Sequence, residues 1–325
     1  MSAAPPNTPP PGTCWILTEG HAGMEGQCLG LAENLGLTPQ IKRVSPKAPW
    51  IWLPARLWPN PLGMAAPETP LTPPWPDVLI SCGRRSAAAA AAIKRQSGKA
   101  TLAIHLQRPP LPAQSFDAVI VPEHDNYNGP KIITMRGSLH RLTDEKLELA
   151  RAAFAPRFAA LGNPKIGVLV GGSNKRQDFT PALARDFAGK LHTAQQALPG
   201  SSLLLTPSRR TGKENEAILR EALSGTHNFI WDGTGENPYF GIMALADLLV
   251  VTGDSVNMAS EACFTGKPVY IFNLPGGSKR LQNFTSKLIA EGFARPFAGA
   301  LEPFAPPRLD EMAAVVKTIK DRFGL

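Results

Sequence analysis

Three short runs carry the side chains best suited to hold a diphosphate: Gly171-Gly172-Ser173-Asn174-Lys175, Ser208-Arg209-Arg210-Thr211 and Gly253-Asp254-Ser255. Adjacent arginines present permanently charged, forked donors that match phosphate oxygens two at a time, and neighbouring hydroxyls add donors of their own. One such loop alone does not make a site; converging, the three would neutralise and orient a nucleotide diphosphate. Glu261 lies six residues beyond Ser255. At the helical rise that is ~9 Å, the reach from a nucleotide's phosphates to its ribose hydroxyls. Spacing leaves a plainer reading open, in which Asp254 and Ser255 only cap a helix and Glu261 is a solvated carboxylate.

Two further runs suit proton transfer. His21 sits in the turn Glu19-Gly20-His21-Ala22-Gly23, and Glu123-His124-Asp125 flanks an imidazole with two acids. Histidine titrates near neutrality, and an adjacent carboxylate fixes its orientation. In the alternative reading, His21 hydrogen-bonds within its turn and the two acids cap nearby amides. Gly20, Gly23 and Gly26 follow a G-x-x-G-x-x-G spacing, which is not the dinucleotide fingerprint but still lets a ligand approach the backbone. Cys82-Gly83-Arg84-Arg85-Ser86 adds an anchor for phosphate or carboxylate at a helix start. Tyr127-Asn128-Gly129-Pro130-Lys131 matches the Y-x-x-x-K pair of short-chain reductases and sugar-nucleotide epimerases, but Gly129 and Pro130 deny it the helix that pair requires.

These residues recur where a short, β-rich apolar run gives way to a helical pattern. Leu248 to Val251 reads as a buried strand, the turn at Thr252-Gly253-Asp254-Ser255 caps a helix to about Thr265, and Val269 to Phe272 is the next strand. A helix starting at the carboxyl end of such a strand aims free N–H groups at the crevice where anions are held. Cys14 to Leu17, Gln40 to Val44, Pro76 to Ser81, Thr101 to Leu106 and Ala118 to Val121 form a first set of strands. Ile166 to Val170, Ser201 to Thr206, Asn228 to Trp231 and Leu248 to Val251 form a second, each set with intervening helices, which predicts parallel α/β sheets. Between Pro46 and Pro76 the prolines exclude regular helix. Trp50, Trp52, Trp58 and Trp75 there line an aromatic pocket, face a membrane, or clamp the loop onto the core. Tyr239, opening a further helix, stacks on a base or sugar or packs on the core. Thr143 to about Leu161 reads as a helical bridge interrupted near Pro156, and Leu309, Met312, Val315, Val316, Ile319 and Phe323 mark a last amphipathic helix.

At 325 residues the chain suits two domains. The net charge of +8 is scattered rather than blocked, favouring phosphate-bearing ligands or an anionic membrane surface over nucleic acid. Cys14, Cys28, Cys82 and Cys263 lie far apart without zinc-ligand spacing and read as reduced packing residues, and no compact Asp-x-Asp pair suggests a metal. Residues 1–12 read as a disordered tail without a signal core, and the apolar stretch around Phe240 to Val251 is too short to span a bilayer, which predicts a cytoplasmic protein.

The turn Gly20-His21-Ala22-Gly23 with Gln27, together with PDVLISCGRRS, VPEHD, LVGGSNK, PSRRT and TGDSVNMASEACFTGKPV, resembles the bacterial homologues of the plant mitochondrial-fission Elm-like family over most of the chain from Trp15 to Phe297. That family looks like the GT-B glycosyltransferase architecture, two Rossmann-like domains facing across a cleft. The resemblance implies an acceptor domain over 13–142, a linker helix over 143–163, a nucleotide-sugar domain over 164–305 and a helix over 306–325 returning to the first domain. Gly172, Ser173, Ser208, Arg209, Arg210, Thr211, Asp254, Ser255 and Glu261 would hold the donor. His21 or the cluster of Glu123, His124 and Asp125 would be the base.

Two functions follow as expectations. One is a metal-independent glycosyltransferase needing no cofactor, which moves a sugar from a nucleotide diphosphate donor to a cell-envelope saccharide or lipid at the inner face of the membrane. The other is a non-catalytic adaptor of the same fold that binds a protein partner or a membrane surface.

Overall fold

The computed structural model describes residues 12–174, 177–225 and 227–325. The expected disordered tail lies, up to residue 11, outside the described residues, as does Lys175. The chain divides into two compact units, one made of residues up to Arg141 together with Asp310–Leu325, the other of Leu142–Leu309.

The first unit runs β1 (Cys14–Thr18), α1 (Ala22–Asn34), β2 (Pro39–Arg43), α2 (Pro61–Met64), β3 (Val78–Cys82), α3 (Ser86–Gln96), β4 (Leu102–Leu106), β5 (Ala118–Pro122) and β6 (Ile132–Met135). Its sheet is parallel throughout, in the order β2-β1-β3-β4-β5-β6. Successive strand residues face opposite ways: Cys14 and Ile16 enter one apolar cluster, Trp15 and Leu17 the other. Burial on both faces explains why these strands read as unbroken apolar runs. Two expectations need correction. The proline-rich segment does contain one helical turn, α2, because Pro61 sits where its missing N–H is not needed and the Asn60 side chain accepts from Gly63 N–H. Of the three glycines after β1, only Gly20 is in the turn, at φ +77°; Gly23 and Gly26 belong to α1.

The second unit runs α4 (Asp144–Phe158), β7 (Lys165–Val170), α5 (Pro181–Gln196), β8 (Ser202–Pro207), α6 (Lys213–Leu223), β9 (Phe229–Ile230), α7 (Tyr239–Leu245), β10 (Leu248–Thr252), α8 (Val256–Phe264), β11 (Val269–Phe272), α9 (Lys279–Ala290) and β12 (Arg295–Pro296). The six strands are parallel, in the order β12-β11-β10-β7-β8-β9. Helix α4 is not interrupted at Pro156, which lies in its last turn. Burial of Phe154 and Phe158, whose rings stack 6.0 Å apart, holds that turn against the local preference. The last helix, α10 (Glu311–Phe323), belongs to the first unit. Its Met312, Val315 and Ile319 join Cys28, Leu31 and Ala32 of α1 in one core, as the helical spacing of its apolar residues requires.

All four cysteines are buried and unpaired. Among the described residues, no helix is long and apolar enough to cross a membrane.

Each sheet reverses its winding once, between β7 and β10 in the second unit and between β1 and β3 in the first. Crevices at the carboxyl ends of strands form at such reversals, because the connecting helices leave toward opposite faces.

Candidate functional site

The reversal in the second unit brings together the three phosphate-friendly runs. They meet through hydrogen bonds that link all three loops. The Asp254 carboxylate, whose side chain is 0% exposed, accepts from Thr252 Oγ1 at 2.6 Å and from Gly172 N–H at 3.0 Å, and pairs with Arg210 Nη2 at 2.8 Å. Thr252 Oγ1 accepts in turn from Gly171 N–H at 2.7 Å, while Arg210 C=O accepts from Ser173 N–H at 3.1 Å. Ser208 Oγ and Thr211 Oγ1 both donate to Gly171 C=O. The strand ends after β7, β8 and β10 are therefore one structure.

This geometry changes the reading of the individual residues. A Cβ on Gly171 would lie 2.1 Å from Asp254 Oδ1, and one on Gly172 would lie 2.0 Å from Arg210 C=O. The glycines give way to the neighbouring loops. Ser208, Thr211 and Asp254, expected to contact the ligand, have their polar side-chain atoms engaged in holding the turns. Ser173 Oγ accepts from Phe179 N–H at 2.9 Å. Of the two arginines expected to meet the diphosphate, Arg210 spends part of its fork on Asp254, whose negative charge offsets its own. Arg209, beside it, is exposed. Ser255 caps α8, its Oγ accepting from Met258 N–H at 3.3 Å. Capping leaves the remaining first-turn N–H groups directed toward the strand end.

Glu261 is on α8, half-buried rather than solvated, and accepts from Tyr239 Oη at 2.6 Å. Burial pushes its carboxyl up to about 7, against a smaller downward pull from the tyrosine hydrogen bond. Burial, and then the neighbouring carboxylate, push the Tyr239 hydroxyl well above its usual value. Tyr239 is therefore a hydrogen-bonding partner of Glu261, a role its position at the start of α7 did not reveal. Sequence reading also missed Thr252, which relays Asp254 to Gly171. The available signal was a hydroxyl at the last position of an otherwise apolar strand.

The first unit repeats the pattern at its own reversal. Glu19, after β1, accepts from Arg85 N–H at 3.0 Å and pairs with Arg85 Nη1 at 3.5 Å, while Arg84 is exposed. In both units the second arginine of an adjacent pair is bound to an acid and the first faces solvent. His21 stands at the N-cap of α1, exposed, and its side chain makes no capping hydrogen bond. Glu123, His124 and Asp125 form one 3-10 turn after β5, closed by Asn126 at φ +47°. His124 Nε2 lies 3.8 Å from Asp125 Oδ1, and the two side chains are only 4% and 5% exposed. Three strand spacings separate β1 from β5, about 14 Å at ~4.8 Å each, so His21 and His124 stand at separate strand ends of the first sheet.

Comparison with solved structures shows the fold this chain shares. The UDP-GlcNAc 2-epimerase of Methanocaldococcus jannaschii superposes with a TM-score of 0.55 at 12% identity, covering 95% of this chain and 99% of that one. The glycotransferase of kitacinnamycin superposes with a TM-score of 0.54 at 14% identity, covering 98% and 94%. At these identities the likeness concerns architecture, and the architecture is GT-B. In sequence, the mitochondrial fission protein ELM1 of Arabidopsis thaliana is 28% identical over 271 residues, which is 75% of this chain and 63% of that protein. The chain thus spans less than two thirds of the length of that relative. Residues 22–323 match the family described as Mitochondrial fission ELM1, and the chain belongs to that family.

Proposed function

We propose that the protein is a metal-independent GT-B glycosyltransferase that takes a nucleotide diphosphate sugar as donor on its second unit and transfers the sugar to a hydroxyl of a cell-envelope saccharide or lipid. One observation carries this reading: the hydrogen-bonded loops after β7, β8 and β10 carry an exposed arginine, a capped helix N-terminus and, one helical stretch further on, a half-buried carboxylate. Arg209 and the first-turn N–H groups of α8 meet the diphosphate, and Glu261, held by Tyr239, accepts from the ribose hydroxyls. Arg210 is oriented by Asp254 and offers its remaining N–H groups.

In the transfer, an acceptor oxygen bonds to the anomeric carbon as the bond from that carbon to the diphosphate breaks. The departing charge passes to the helix end and the guanidinium groups, which stabilise it without reorganising. His21, exposed at the β1–β3 reversal, is the better of the two candidate bases for the acceptor proton, because the His124 side chain is withdrawn from solvent. The resemblance to an epimerase keeps a second chemistry in view. The lack of a helix under Tyr127 and Lys131 argues only against the short-chain type of epimerase, and proteins of this fold include UDP-GlcNAc 2-epimerases.

Calorimetry with UDP and UDP-GlcNAc tests the donor site. Binding weakened about tenfold or more by Arg209→Ala and by Glu261→Ala, roughly the worth of one charge-assisted hydrogen bond, and unchanged by His124→Ala, is the expected result. No heat with any nucleoside diphosphate removes the basis for the proposal. Release of UDP from UDP-GlcNAc in the presence of a saccharide acceptor, against UDP-ManNAc without one, separates transfer from epimerisation.

A further inference from the structure

Five large apolar side chains are exposed among the described residues, and four of them fall in one seven-residue stretch of the first unit: Ile51 at 37%, Trp52 at 78%, Leu53 at 42% and Leu57 at 59%. The stretch is a folded platform. Ile51 N–H bonds to Lys47 C=O, Trp52 N–H to Pro49 C=O, Leu53 N–H to Trp50 C=O and Leu57 N–H to Pro54 C=O. Trp58 is 5% exposed and donates its indole N–H to Leu53 C=O at 3.4 Å, and Trp50 packs against the core beneath. Two of the loop's tryptophans thus clamp it down, and the third projects outward. A soluble chain gains nothing from holding four apolar side chains in water, so a feature of this kind marks a surface that is covered in use.

Charge identifies what covers it. From Asn34 to Pro67 the sequence contains Lys42, Arg43, Lys47 and Arg56 and no aspartate or glutamate. Lys42 is buried and Arg43 is paired with Glu25 and Glu68, which leaves Lys47 and Arg56, both exposed, beside the apolar tip. An indole flanked by aliphatic side chains and bordered by cations without acids matches a bilayer interface carrying anionic headgroups. There, tryptophan settles at the level of the headgroups and basic residues meet phosphate.

We propose that residues 47–57 are a membrane-docking loop, in which Trp52 and its apolar neighbours enter the interface of an anionic phospholipid bilayer while Lys47 and Arg56 contact the headgroup phosphates. This site is independent of the nucleotide site.

The test is co-sedimentation of the full chain with vesicles of phosphatidylcholine containing phosphatidylglycerol, against vesicles of phosphatidylcholine alone. Wild type is expected to partition onto the anionic vesicles, with tryptophan fluorescence shifted to the blue. Trp52→Ser with Leu57→Ser, or Lys47→Glu with Arg56→Glu, is expected to lower the partition coefficient at least about tenfold. Leu149→Ser, which removes the fifth exposed apolar side chain, on α4 of the second unit, is the control and should leave partitioning unchanged. All substituted side chains are exposed, so melting temperatures should match wild type and confirm that the variants fold. Equal binding to both vesicle types, no binding to either, or equal loss in the Leu149 control overturns the assignment.

Discussion

Alanine at Arg210 and alanine at Arg209 remove the same side chain from adjacent positions, yet the structure gives them different consequences for stability. Arg210 Nη2 lies 2.8 Å from Asp254 Oδ2; the arginine side chain is 40% exposed and the carboxylate 0%. Breaking a fully buried ion pair costs about 3–5 kcal/mol. Here the arginine is well solvated, and Asp254 keeps Gly172 N–H and Thr252 Oγ1 as donors. The loss therefore reduces to one donor withdrawn from a buried carboxylate, about 1–2 kcal/mol. For a unit of this size that lowers the melting temperature by roughly 2–8 °C. Arg209, exposed, is expected to change it by less than about 2 °C when replaced. Thermal denaturation followed by circular dichroism reads the difference directly. If both variants melt together, or if Arg210→Ala melts with wild type, the ion pair does not hold the three loops together.

Ionising Glu261 costs more in the folded chain than in the unfolded one, since burial raises its carboxyl from 4.5 to about 7. The stability tied to its neutral form is complete below pH 4.5, and it is lost as pH rises through about 7. Melting curves over that range should show wild type declining relative to Glu261→Gln; parallel curves would contradict the burial of this carboxylate. Gly172→Ala drives a methyl into Arg210 C=O at 2.0 Å, a backbone atom that cannot rotate away, so the loop must move at a cost of about 1–3 kcal/mol. Urea denaturation measures that cost, and a variant as stable as wild type would show that the loops are not packed this closely.

The convergence of the three loops was legible because strand ends in a parallel sheet share one edge, whatever their separation in the chain. The partners of each side chain were not. Arg210 and Asp254 are distant in sequence, and nothing in a run of arginines announces that one of them is neutralised from another strand. Likewise, Gly171 and Gly172 read only as part of a phosphate-holding loop, because a sequence records the missing Cβ but not the carboxylate and carbonyl that occupy its place. Tyr239 and Glu261, on different helices, showed their pairing only once β10 and the two helices flanking it were folded. Pro156 misled in the opposite direction: a strong local signal was overridden by burial of two phenylalanines. The proline-rich loop concealed its division of labour too, since composition cannot say which of several tryptophans clamps and which projects.

The first unit is interrupted in sequence by the second, with α10 supplied only after Leu309. During synthesis, the strands of the first unit leave the ribosome with the surface destined for Met312, Val315 and Ile319 still bare, and it stays bare while every residue of the other unit is made. The second unit, continuous from Leu142 to Leu309, faces no such delay and can complete its fold while its neighbour waits. A fragment cut at residue 141 is therefore a poor reagent, whereas residues 142–309 are the piece to express alone.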